Sequence, residues 1–300
     1  INQKYPLCIT QTATKVSKHF KNLLHTLIYI LLILSKTLFI FEGRRTEEKY
    51  VEKLEANFFG DRHAIKCVYD AEIYQLYKTI KAENGFFDIV SLLKERNTIN
   101  AEALKEYKRD SFAYIYLFFD YDAHSTMAED YKLEEMLTYF NDETENGLLY
   151  ISYPMVEAIR HFKDRNNFKD LTVKCKRDKC TYLENCEARN SCLNEPHYKQ
   201  FAELDSNVRF CNVNKYTTKI WQELIFAHLC KANYIVNDDY TFPLSQLSQR
   251  DIFTNQMKKY INKKCPKVAV LSAFPLYVLD YYGCDNTKEK LEKQNNAGHK

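Results

Sequence analysis

An α/β fold, a mostly parallel sheet flanked by helices with a mainly helical C-terminal region, is what the order of apolar segments in this chain predicts. Three observations carry the prediction. Short unbroken apolar runs, TLFIF at 37–41 and FAYIYLFF at 112–119, read as strands buried on both faces. Segments with helical apolar spacing separate those runs. The two strongest runs end directly at acidic residues, Glu42 and the Asp120-Tyr121-Asp122 triplet. Strands alternating with helices imply a parallel sheet.

The elements follow in order. After the strand Thr37–Phe41, Thr46 is a helix N-cap candidate, and Glu47 and Glu48 favour the first turn of a helix reaching Phe59. Ala64–Tyr69 reads as a second strand, with Asp70 capping a helix over 71–82. Apolar spacing predicts helices over 87–96 and 101–107, then the strand Phe112–Phe119 and a helix over 128–139. Residues 141–147 read as a loop, Leu148–Ile151 as a short strand, and a helix is expected to open near Met155. Farther on, long helices are expected over 215–232 and 246–262, and Lys267–Leu271 reads as a late strand able to rejoin the main sheet. The last dozen residues read as a frayed, charged end.

Composition sets bounds without choosing a function. The chain has 300 residues, 45% hydrophobic and 28% charged, as folded soluble proteins do. With 6 Gly and 6 Pro, long disordered linkers are not expected. A net charge of +3 rules out any argument from a strongly basic surface, so motifs must carry a nucleic-acid case. Six of the ten cysteines are scattered and read as reduced thiols of a cytoplasmic protein. Residues 1–34 are expected to be an extension and not part of the native fold, with the real start near Ser35. The alternative is a membrane- or partner-binding helix, because Leu23–Leu34 is strongly apolar and follows Lys15, Lys18 and Lys21. That run falls short of the roughly 20 residues of a membrane span, so no membrane partner is expected. The main α/β region is expected to span 35–165 and the helical region 166–300, with a cysteine-rich insertion at 174–195 and the strand at 267–271.

In an open parallel sheet, ligands sit beyond the carboxyl ends of the strands. Glu42, the pair Asp120 and Asp122, and Ser152 with Glu157 all follow strand ends, so they are expected to converge on one edge. Like charges brought together repel, and a divalent cation removes that cost. Magnesium prefers hard oxygen ligands, usually one or two carboxylates with waters and phosphate. Glu42, Asp120 and Asp122 are therefore the expected ligands of Mg²⁺ or Mn²⁺, with Glu42 alternatively a general acid or base. Each element alone is ambiguous. Asp-x-Asp is commonly a polar loop cap, and Gly43 can simply serve a turn.

The segment Phe41-Glu42-Gly43-Arg44-Arg45-Thr46-Glu47-Glu48-Lys49-Tyr50 resembles the first motif of Toprim domains, in a spacing close to RloB-like proteins, relatives of the OLD-type nucleases. Phe118-Phe119-Asp120-Tyr121-Asp122 resembles the Toprim Asp-x-Asp motif. The resemblance covers roughly residues 36–160 and implies a Toprim-like domain. It implies a magnesium-dependent nuclease acting on RNA or DNA, with Glu42 as the catalytic Glu and Asp120 and Asp122 as metal ligands. Glu47 matches a second acidic position, and Glu157 is a further catalytic candidate. It also implies a role in bacterial anti-phage defence, beside an ATPase encoded nearby. OLD-type sites use a late Lys, and no lysine here is marked out for that role.

Secondary candidates remain open between function and structure. Arg44, Arg45, His124 and Ser152 are positioned for phosphate or nucleic-acid contact, or are ordinary surface and turn residues. Cys175, Cys180, Cys186 and Cys192 form a C-x4-C-x5-C-x5-C series, either a Zn²⁺ site or free thiols in an irregular basic insertion. Two other functions are weighed. A non-catalytic nucleic-acid- or ATPase-binding module would keep the fold without the chemistry. A haloacid-dehalogenase-type phosphatase also places Asp-x-Asp after a strand, but it leaves the Glu42-Gly43 motif unexplained.

Overall fold

The computed structural model describes residues 36–44, 46–59, 64–83, 87–175, 197–263 and 265–296. The expected extension 1–34 and most of the cysteine-rich insertion lie outside them. Four strands form the parallel part of a five-stranded sheet: β1 (Lys36–Phe41), β2 (Ala64–Val68), β3 (Phe112–Asp120) and β5 (Gly147–Ser152), in the order β2-β1-β3-β5 with β4 at the edge. Here the expectation of a loop over 141–147 needs correction. Asn141–Asp142 is a two-residue strand, β4, antiparallel to β5. The residues between them make a tight turn, and Gly147 is the reason it closes. Its φ is +121°, and a Cβ there would lie 2.6 Å from the Leu117 side chain.

Helices separate the strands as expected, with shifted ends. α1 (Thr46–Leu54) carries Glu47 and Glu48 in its first turn and widens into a π-helical turn at Glu55–Phe59. Asp70 does not cap the next helix. It takes a left-handed φ of 63°, and α2 (Ile73–Ala82) starts two residues later than expected. α3 (Ile89–Arg96) is capped by the Asp88 carboxylate, and α4 (Thr98–Ala103) begins earlier than the 101–107 helix expected. α5 (Asp130–Tyr139) follows β3, and a short 3-10 turn, Val156–Ile159, stands where a helix was expected after Met155.

The C-terminal region adds α6 (Arg165–Asp170), α7 (Tyr198–Asp205), α8 (Thr218–Asn237), α9 (Gln249–Gln256) and α10 (Ala273–Asn296). The late strand was expected to rejoin the main sheet. Instead β7 (Lys267–Ala269) pairs with β6 (Thr172–Lys174) as a separate antiparallel ribbon. Only a single bridge, Tyr153 to Leu271, touches the end of β5. α10 has no counterpart in the sequence reading, because Pro275 and Gly283 interrupt its pattern. Proline is tolerated in a first turn, where its missing N–H has no partner to lose. Gly283, at φ 73°, bends the helix.

α10 matters because it roofs the sheet face beneath the acidic end. Phe274 stacks on Phe118 at 5.2 Å, and Tyr277 meets Phe39, Tyr116 and Phe118 edge-on. Burying each such ring contributes roughly 2–3 kcal/mol. One hydrophobic core therefore runs from Leu38 to Leu291, across the compositional change near residue 165.

Candidate active site at the carboxyl edge of the sheet

Parallel pairing of adjacent strands brings Glu42 and Asp120 together. Phe41 pairs with Phe118, so β1 and β3 end side by side. The Glu42 N–H donates to the Phe118 carbonyl at 3.1 Å, and its own carbonyl accepts from Asp70 N–H at 3.0 Å. The Glu42 carboxylate then accepts from the Asp120 N–H at 3.0 Å, across 78 residues of sequence.

Asp120 is the last residue of β3, opposite Ser152 of β5, and is buried. Tyr121 turns into the core, and its hydroxyl donates to Asp130 at 2.7 Å. Asp122 takes a left-handed φ of 42°, which Asp tolerates better than most residues. Its side chain returns to within a hydrogen bond of the Glu42 carboxyl. Oδ1 of Asp122 is buried without a hydrogen-bond partner, and the His124 ring nitrogen stands 3.8 Å away.

Two further acids border this group. Glu47, buried, reaches back to accept the Gly43 N–H at 3.2 Å. A Cβ at residue 43 would stand 3.3 Å from that carboxylate, so glycine here gives Glu47 room. Glu157, also buried, has one oxygen 3.7 Å from Lys199 Nζ and the other without a partner.

The electrostatics follow from burying like charges. Burial, reinforced by the Asp122 charge, pushes Glu42 up to about 9, against the opposing pull of the Asp120 N–H. Asp120 is held well above the carboxylate range, first by burial and then by Glu42 and Asp122. Asp122 is raised by burial, while His124 and Glu42 pull it down. Burial also raises Glu47. This end of the sheet would ionise far more readily beside a cation.

The remaining sequence candidates fall as follows. Arg44 is exposed at the mouth and pairs with Asp70 at 3.1 Å. Arg45 lies outside the described residues. His124 is exposed beside Asp122. Ser152 is buried, and its hydroxyl accepts the Ala273 N–H at 3.3 Å, which commits it to the start of α10. Cys175 is buried, while Cys180, Cys186 and Cys192 lie outside the described residues. The sequence reading missed Arg160, Tyr198 and Lys199. They border Glu157 only because α7 folds back over the Val156–Ile159 turn. No local spacing announces that contact.

The donor set suits a hard divalent cation. It offers carboxylate oxygens only, two of the nearby acids keep buried oxygens without partners, and burial raises the central three, with repulsion adding to it at Glu42 and Asp120. Among the described residues no group of three or more His, Cys, Asp or Glu side chains is arranged to hold a metal ion by itself. Magnesium does not require such a cage, since it keeps several waters and binds through one or two carboxylates. No helix among the described residues is long and apolar enough to cross a membrane. No family model, curated protein or solved structure matches the chain.

Proposed function

We propose that this chain is a Toprim-type, metal-dependent nuclease that hydrolyses phosphodiester bonds of RNA or DNA. One observation carries the reading: the Glu42 carboxylate accepts the Asp120 backbone N–H across adjacent strand ends, with Asp122 in reach, so that three acids share one end of the sheet. The motif resemblance at 41–50 and 118–122 supports the same assignment. Glu42, Asp120 and Asp122 would hold Mg²⁺ or Mn²⁺. When bound, the ion offsets phosphate charge and lowers the pKa of water.

The chain's own residues prepare that site. The Asp120 N–H fixes the Glu42 carboxylate, and Glu47 holds the Glu42-Gly43 turn through the Gly43 N–H. Glu157, with an open buried oxygen, is the residue available to take or give a proton at the edge of the site. Arg44 and His124 stand at the exposed mouth, where a phosphate backbone would arrive. A cytoplasmic defence effector, working with an ATPase encoded beside it, is the biological setting we propose.

The test is cleavage of labelled single- and double-stranded RNA and DNA with Mg²⁺ or Mn²⁺. Wild-type protein should cut at least one of them, and Glu42→Gln and Asp120→Asn should not. Cleavage surviving in both variants removes the proposal. Full biological activity in both would leave a non-catalytic binding module as the reading.

A further inference from the structure

Arg160 closes the turn that carries Glu157. Its Nε–H is buried and has no acceptor. Nη2 reaches only the Lys199 carbonyl, at 3.5 Å. Among the described residues it makes no ion pair with a carboxylate. Three other arginines are matched within the fold. Arg109 donates to the carbonyls of Phe112, Thr144 and Glu145, Arg96 to those of Tyr69 and Asp70, and Arg209 pairs with Glu223.

A buried donor left open costs about 1–3 kcal/mol, so this guanidinium has hydrogen-bonding capacity to spare for an anion. The surroundings say which kind. Arg160 sits among Tyr50, Tyr198 and Tyr216, whose hydroxyls all feel its charge, and the first two also feel Glu157. Tyr216 gives its proton to the Phe210 carbonyl, and Tyr198 stands 3.1 Å from His161. Lys199 adds a second cation on the same side, 3.7 Å from Glu157. The acidic edge thus has a cationic border. A guanidinium is a planar fork that matches two oxygens of one phosphoryl group.

The geometry points to Arg160, with Lys199 beside it, as the subsite for the non-bridging oxygens of a phosphodiester in a nucleic-acid strand. The inference rests on the nucleic-acid reading above, and its test separates the two.

Binding of fluorescein-labelled RNA and DNA strands of one sequence is followed by anisotropy in EDTA, over a salt series. The full chain is used with Glu42→Gln, so nothing is cut. Arg160→Gln should weaken binding about tenfold and lower the salt slope by about one. Arg160→Lys should keep the slope but lose about threefold, because a point charge replaces the fork. Lys78→Gln, exposed on α2, should change binding only within error.

Unchanged binding in both Arg160 variants, at unchanged melting temperature, overturns the subsite. Where the Gln variant does not fold, the Lys variant decides by the same criterion. Failure of the Glu42→Gln protein to bind either strand also overturns it. Strand binding through Arg160 without cleavage by wild type under Mg²⁺ would keep the subsite and remove the nuclease. Cleavage at full rate in the Arg160 variants would do the reverse.

Discussion

Two buried regions of this chain, the acidic end of the sheet and the middle of α8, hold ionisable groups in different ways. On α8, Lys231 is fully buried and donates to the carbonyls of Phe168 and Leu171 at 2.8 and 2.6 Å. Those carbonyls lie at the end of α6, where a donor suits the open acceptors of a helix terminus. One turn earlier, His228 Nδ1 accepts the Ser272 N–H at 3.1 Å, while its Nε2 is buried without a hydrogen-bond partner. At the acidic edge, Asp122 and Glu157 keep buried oxygens without partners, and Glu42 and Asp120 are raised by burial and by other acids. Burial alone therefore does not mark a functional site. A buried cation matched by the scaffold, as Lys231 is, belongs to the scaffold, and a cluster of buried acids raising one another is the better candidate for meeting a ligand.

The sharpest way to break this contrast is Asp120→Asn. Cleavage should fall by on the order of 10³-fold or more, because the group acts only with its neighbours. The metal-free variant should nevertheless be more stable, by on the order of 1–2 kcal/mol, since the amide spares the fold the cost of burying a group that ionises freely in the unfolded chain. Urea unfolding in EDTA reads this as a higher midpoint at constant slope. Added Mg²⁺ should raise the melting temperature of wild type, and of the variant much less. A lower midpoint in EDTA would mean that Asp120 is matched after all and would erase the difference between the two regions.

That contrast was only half legible in the sequence. Glu42 and Asp120 could be read because each follows a strand end directly, and parallel pairing does the rest across 78 residues. The Lys231–Phe168 bond could not, because it depends on how α6 lies against α8, 63 positions apart, and both partners look like ordinary helix residues. Arg160 and Lys199 were hidden for the same reason. KVAVL was correctly read as extended at its start, but its partner β6 is three residues long and gives no periodicity to detect. α10 was lost because Gly283 breaks a pattern that the aromatic contacts of Phe274 and Tyr277 with the sheet then stabilise.

At the matched region the same kind of experiment should give the opposite sign. Lys231→Met should destabilise by roughly 2–4 kcal/mol, because two buried carbonyls lose their donor. Cleavage per folded molecule should stay at the wild-type level. A neutral or stabilising outcome in urea would show that relieving the buried amine outweighs the orphaned carbonyls.

His228 sharpens the comparison through pH. Burial, then the nearby Lys231, lowers its pKa from 6.5 to about 3. The folded state thus resists a proton that the unfolded chain accepts below pH 6.5. Its contribution is present above pH 6.5 and is lost as pH falls towards 3. Between pH 7 and 5 the expected loss is roughly 2 kcal/mol. His228→Gln should show a correspondingly flatter profile in urea titrations at the two pH values. An equal loss in both proteins would mean that the imidazole is already charged in the fold.

The smallest stability effect belongs to Arg44, and for that reason it separates surface from site most cleanly. Its ion pair with Asp70 is exposed on both sides, at 42% and 54%, and such pairs contribute about 0–1 kcal/mol. Arg44→Gln should therefore leave the urea midpoint within error of wild type. As a contact to the incoming backbone it should still raise KM several-fold with kcat unchanged, since it would hold substrate and transition state alike. The KM effect should shrink as salt rises, as a phosphate contact requires. An unchanged KM at low salt would return Arg44 to plain solvated surface and leave recognition to the Arg160 side.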